Sequence, residues 1–261
     1  SKDKIDELKL FIEQHDYFLI IGHKEPDGDC IASCLGIAGI LDGFNKKYQL
    51  LSAGPFKRTE TVEYEKYFSS EMTFLDEYDR KHTGLFITDC SEFNRLGEID
   101  GDLKNLDTFI IDHHKTSDIS RNMQGYINPK APACAYLVQL FFEGLLGKIP
   151  KNIAEIIFFG ICTDTGFFKF LVDNEESADI FSASARLISY GVNPRTTFQK
   201  INNGKSMNTR KLLGILLNKT QLFLNEKLAI TYETLEDTKK YGIDGRDSDA
   251  LYQLLLSVKN V

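Results

Sequence analysis

Tyr17-Phe-Leu-Ile-Ile-Gly22-His23-Lys-Glu-Pro26-Asp27-Gly28-Asp29-Cys30-Ile-Ala-Ser33 opens on a continuous apolar run, passes through a tight polar turn and enters a second apolar stretch. A short apolar run of this kind suits a strand buried on both faces of a parallel sheet. Ile5, Leu8 and Ile12 fall at helical spacing before it, and residues 30 to 41 read as a helix after it. Outward from this unit the alternation continues. Strands are read at 48 to 52, 85 to 88 (LFIT) and 108 to 111 (TFII), and helices at about 133 to 146, 152 to 163 and 176 to 190. The pattern predicts an α/β domain: a mostly parallel sheet with helices on both faces.

Gly191 follows the last of these helices as a C-cap, so the first domain is set at residues 1–190. Apolar density falls from Val192 to Asn208, and an Asn-Asn-Gly occurs there, so residues 191–210 read as a linker. Residues 211–261 then form a smaller α/β lobe. Its parts are a helix at 211 to 217, a hairpin of 221 to 224 with 227 to 232 turning at Asn225-Glu226, and a helix near 246 to 257.

With 42% hydrophobic and 26% charged residues in 261, the chain can bury a core without covalent staples. Its apolar runs fall short of the roughly 18 residues that cross a bilayer, and the charged start SKDKIDELKL is unlike a signal peptide. A cytoplasmic protein with no membrane partner is expected. Cys30, Cys34, Cys90, Cys134 and Cys162 form no CxxC pair, which fits a reducing compartment. The net charge of -7 argues against binding long nucleic acid, which needs a basic surface, but leaves room for a short nucleotide in a local pocket.

Four polar islands sit at strand or helix ends, where ligands of open parallel sheets collect. His23, Asp27 and Asp29 share a turn in which Pro26 fixes one backbone angle and Gly28 permits a positive one, so that the carboxylates point inward. Taken alone the segment also reads as a polar cap, with Asp29 as N-cap. Asp89 ends the strand LFITD, and Asp112-His113-His114 end the next. Asp164 follows a strongly apolar helix, where a carboxylate needs a partner that a metal would provide. Carboxylate and imidazole donors without a thiolate suit a hard divalent ion better than structural zinc. Cys30, Cys90 and Cys162 read as packing residues on the reverse face.

In this order, GHKEPDGDCIAS at 22–33, Asp89, DHH at 112–114 and TDTG at 163–166 resemble the DHH phosphoesterase superfamily. The likeness is strongest to its nanoRNase, pAp-phosphatase and cyclic-dinucleotide phosphodiesterase branch. It covers residues 1 to about 190 well and the remainder loosely. The resemblance implies a centre of two manganese ions, with magnesium or cobalt as substitutes. His23, Asp27 and Asp89 would hold one ion; Asp29, Asp89, His113 and Asp164 would hold the other, with Asp89 bridging. Asp112 would orient a histidine, and His114 would face the substrate phosphate, with Arg95 and Lys115 as further cations for it.

The implied activity is hydrolysis of phosphodiester bonds in short oligoribonucleotides or linear and cyclic di-adenosine nucleotides such as c-di-AMP. The alternatives are a pAp 3′-phosphatase, an inorganic pyrophosphatase and a non-catalytic metal-binding domain. A homodimer is a further expectation. The branch continues into a second, DHHA1-like lobe ending in a GGGH-like segment that binds the nucleotide. Residues 211–261 resemble only the start of that lobe and lack the segment.

Overall fold

The computed structural model describes residues 2–115, 123–172 and 174–261, and the chain divides into two compact units, one through Ile201 and one from Asn202 to Val261. Among the described residues five strands build the first: β1 (Tyr17–Ile21), β2 (Lys47–Leu51), β3 (Thr83–Thr88), β4 (Asp107–Asp112) and β5 (Gln124–Ile127). All pair in parallel, in the order β2-β1-β3-β4-β5. The helices of this unit are α1 (Lys2–Gln14), α2 (Gly28–Gly43), α3 (Glu77–Lys81), α4 (Cys134–Leu146), α5 (Lys151–Asp164), α6 (Asn174–Ser189) and α7 (Pro194–Asn202), the last reaching one residue past the division.

Alternation along the strands divides the core in two. Phe18, Ile20, Phe86, Phe109 and Ile111 join residues of α1, α2, α4 and α5 in the larger cluster. Leu19, Ile21, Leu85, Ile87 and Ile110 pack instead against Leu96, Leu103 and Leu106 of the β3–β4 connection. Short α3 lies on that second side, where Arg80 donates to the carbonyls of Asp102 (3.0 Å) and Lys104. Helices thus flank both faces, the long ones on one. Strand order reverses between β1 and β3, and the crevice at their carboxyl ends is where such sheets bind ligands.

Close helix packing supports that crevice. Residues Gly28 to Leu41 of α2 are all buried, so this largely apolar helix is enclosed on every side. A Cβ at Gly160 of α5 would lie 2.4 Å from the Ala32 Cβ and 2.9 Å from the Ala135 Cβ, so only glycine lets α5 meet both α2 and α4. Gly28 acts similarly rather than as a left-handed hinge: its missing Cβ would sit 2.5 Å from the Thr163 side chain, and the turn's positive φ falls at Glu25 (54°).

Two readings of the sequence change. Strand β5 was not foreseen, because Gln124-Gly-Tyr-Ile127 is short and half-polar; its Gly125 has no room for a Cβ against the Ile110 carbonyl, 2.4 Å away. The segment read as a linker at 191–210 mostly forms α7 and the start of the next helix. Asn193 accepts the Arg195 amide at 3.0 Å, and Pro194 occupies the first helical position, the start signals that a scan for apolar density passes over.

The second unit contains α8 (Met207–Asn218), a hairpin of β6 (Gln221–Phe223) and β7 (Leu228–Ile230), α9 (Leu235–Tyr241) and α10 (Ser248–Leu256). Its core is small, built on Leu212, Leu216 and Leu251. The hairpin turn includes three successive left-handed residues, Leu224, Asn225 and Glu226. Among the described residues no helix is long and apolar enough to cross a membrane.

In an exposed helix, replacing glycine by alanine adds up to about 1 kcal/mol of stability. At Gly160 the sign should reverse. Gly160→Ala is expected to lose about 1–3 kcal/mol through overpacking, measured as a lower urea midpoint at unchanged slope.

Candidate metal centre

Each functional side chain leaves a regular element at its end. His23 and Asp27 follow β1, Asp89 follows β3, Asp112 ends β4, and Asp164 is the last residue of α5. Asp27 is the N-cap of α2, its Oδ1 accepting the amides of Asp29 (3.1 Å) and Cys30 (3.0 Å). Asp29 therefore lies inside the first turn, where its carboxylate is free to reach another element.

Both histidines facing the crevice have their tautomer set by the backbone. Nδ1–H of His23 donates to the Lys24 carbonyl (2.8 Å), and Nδ1–H of His113 to the Ala131 carbonyl (3.1 Å). In the neutral imidazole that leaves an Nε2 lone pair aimed at carboxylates. Nε2 of His23 lies 3.4 Å from Asp89 Oδ2 and 3.8 Å from Asp27 Oδ1. Nε2 of His113 lies 3.3 Å from Asp89 Oδ1, 3.4 Å from Asp164 Oδ2 and 3.7 Å from Asp29 Oδ2. The two oxygens of Asp89 thus address two different groups. Asp89 is 2% exposed and held at φ 57°, and its Oδ1 has no hydrogen-bond partner among the described residues.

Such a gathering of acceptors requires positive charge at its centre, supplied by protons or by a cation. Protons are held tightly. Burial by itself would lower the His23 pKa, but the carboxylates of Asp27 and Asp89 outweigh it and raise the value from 6.5 to about 11. His113 is raised to about 10 in the same way, by Asp89, Asp29 and Asp164 against its burial. Burial, with repulsion from Asp89 and Asp27, lifts Asp164 to about 6. Burial and then the charges of Asp89 and Asp164 push Asp29 well up. Asp27 moves the other way, to about 2: burial opposes ionisation, but His23, the Cys30 amide and the Arg58 charge favour it. The orphaned Asp89 oxygen and a donor set of carboxylates and imidazoles, with the Cys30 thiol beside one group, fit hard divalent cations.

Asp112 folds the paired histidines. Its Oδ1 accepts the amides of His113 (2.7 Å) and His114 (3.1 Å) and the Nδ1–H of His114 (2.7 Å). His114 therefore has only Nε2 left for a ligand, and its side chain is 36% exposed against 14% for His113.

The structure gathers His23, Asp27, Asp29, Asp89, Asp112, His113, His114 and Asp164. Arg95 sits on the rim through its backbone, its carbonyl accepting the Lys24 amide (2.8 Å). Lys115 is exposed, and no hydrogen bond or ion pair joins it to the cluster among the described residues. Two further residues were not foreseen here. Arg58 lies in the segment after β2, close enough for its charge to act on Asp27. Cys30, read as facing away, has its sulfur within 4.8 Å of ligand atoms of His23 and Asp89. The reason is its place one residue after Asp29 on a helix buried all round. Contact with Cys34 and then burial hold its thiol pKa well up, which disfavours the thiolate form that binds metals.

The N-terminal domain of the DHH family matches residues 17–161. The chain belongs to the DHH family. It is 27% identical over 177 residues to a bifunctional oligoribonuclease and PAP phosphatase NrnA of Thermus thermophilus, covering 66% of this chain and 50% of that protein. Identity to a probable manganese-dependent inorganic pyrophosphatase of Archaeoglobus fulgidus is 23% over 188 residues, covering 69% and 58%. Among solved structures, an exopolyphosphatase-related protein from Bacteroides fragilis superposes with a TM-score of 0.80 at 25% identity, covering 100% of this chain and 78% of that one. The chain thus matches over about half the length of these curated relatives.

A pH dependence follows for the metal-free protein. His23 and His113 bind protons more tightly folded than unfolded, so their stabilisation is full below the ordinary value of 6.5 and is lost as pH rises toward about 10 and 11. Raised Asp29 and Asp164 lose theirs in the same direction, starting at lower pH. In excess chelator, the melting temperature should therefore fall between pH 6.5 and 9.5. Added manganese, replacing the protons, should raise it by an increment that grows with pH, read by differential scanning fluorimetry.

Proposed function

We propose that this DHH-family chain is a two-metal phosphodiesterase that converts short oligoribonucleotides and small di-adenosine nucleotides to mononucleotides, with manganese as the working ion. The observation that carries the reading is Asp89, whose buried carboxylate presents one oxygen to His23 and the other to His113, the arrangement that two neighbouring cations would share. His23, Asp27 and Asp89 would hold one cation, and Asp29, Asp89, His113 and Asp164 the other. Cations there would supply Lewis-acid polarisation of a phosphoryl group and charge to offset that of the transition state.

The protein groups do the rest. Asp112 fixes the His114 ring through Nδ1, and this hydrogen bond, acting against burial, raises the His114 pKa. In its imidazolium form, which that hydrogen bond favours, the ring would direct Nε2–H to the phosphoryl oxygens as their negative charge grows. Arg58 and Arg95, in segments next to the His23–Asp27 loop, are the cations for a substrate's remaining charge. Five buried free cysteines support a reducing, cytosolic setting.

Assay of the full chain with manganese should show hydrolysis of pApA exceeding that of pyrophosphate, and its loss in excess chelator. Turnover of pyrophosphate alone would instead support the activity named for the Archaeoglobus fulgidus relative.

For His114→Ala we expect retained metal by elemental analysis and a rate loss of about 10²-fold. Arg58→Ala should raise KM for pApA more than it lowers kcat, with little effect on a singly charged aryl diester.

A further inference from the structure

Helix α4 begins in an unusual way. Its N-cap is Ala133, which is 0% exposed and has no side-chain acceptor. The first amides of a helix have no partner inside it, and burying them unbonded is costly. Asp29 of α2, more than 100 positions earlier, supplies the acceptors: its Oδ2 takes the Cys134 amide at 2.6 Å and its Oδ1 the Ala135 amide at 2.8 Å. Gly160 keeps this route open, since a Cβ there would come within 3.3 Å of Asp29 Oδ1.

The segment entering α4 carries the group that sets His113. Ala131 donates its amide to the Asn128 carbonyl (2.9 Å), and Asn128 donates its own to the Asp112 carbonyl (3.0 Å). One end of the 128–135 segment is thereby tied to β4 and the other to Asp29. Between them, the Ala131 carbonyl accepts Nδ1–H of His113 and turns Nε2 toward Asp89 and Asp164.

We propose that Asp29 is the positioning residue of His113: by capping α4 from a different helix, its carboxylate fixes the turn whose Ala131 carbonyl orients the imidazole. This role is exercised in the metal-free protein and so is tested apart from the catalytic reading. It also opposes what charge alone predicts. Were Asp29 only one more carboxylate beside Asp89 and Asp164, neutralising it would relieve repulsion and stabilise the metal-free fold. As a cap it cannot be replaced by asparagine without harm, because a carboxamide has one acceptor oxygen where the two amides use one oxygen each.

The test uses the full chain in excess chelator. In the parent, amide exchange at Cys134 and Ala135 should be slow, unlike that of ordinary first-turn amides. Asp29→Asn should lower the melting temperature by about 4 °C or more and speed exchange at both amides. Asp164→Asn, which removes the same charge from a carboxylate that caps no helix, should raise the melting temperature. In D29N the Nδ1–H resonance of His113 should be lost to exchange. That of His15, held by the Phe11 carbonyl at 2.8 Å, should persist as the internal control. Fast exchange at Cys134 and Ala135 in the parent overturns the proposal even if D29N fails to fold. So does a stability gain in D29N like that of D164N, or an unchanged His113 resonance.

Discussion

Electrostatic repulsion among buried acceptors is the constraint around which this protein is built. Asp29 and Asp89 are almost wholly removed from water, with Asp27 and Asp164 beside them, and the Nε2 atoms of two histidines point into the same space. In a low-dielectric interior such a group demands compensation. Part of it comes from the backbone: amides of α2 serve Asp27, amides of α4 serve Asp29, and amides of the His113-His114 turn serve Asp112. Asp89 Oδ1 receives none of these among the described residues, and it sits where the two halves of the cluster meet.

Holding those backbone donors in place explains much of the surrounding packing. Three helices must approach within the width of a glycine at Gly28 and Gly160, so that the start of α2, the start of α4 and the end of α5 converge over the carboxyl ends of β1, β3 and β4. The sheet order supplies the opening between β1 and β3. On the opposite side of the sheet, the connection from β3 to β4 packs Leu96, Leu103 and Leu106 against the strands and seats the Arg95 carbonyl against the His23–Asp27 loop. A single carboxylate such as Asp29 is therefore a charge, a helix cap and a structural link at once.

The sequence alone determined most of the architecture and marked the polar islands that the fold brings together, because both depend on local signals. Apolar runs such as Tyr17–Ile21 and 108 to 111 define buried strands by composition, and the polar islands at their ends mark the chain's exits from the sheet. Short or half-polar elements were less legible: β5 depends on pairing with β4, and α7 is marked only by Asn193 and Pro194. What tertiary structure decided is how each site residue is used. The need for glycine at position 28 comes from Thr163, the cap of α4 comes from Asp29, and the direction of the His113 ring comes from Ala131. Arg58 and the sulfur of Cys30 likewise join the site only through folding. These partners lie far apart along the chain or are backbone atoms with no signature of their own, so sequence spacing cannot reveal them.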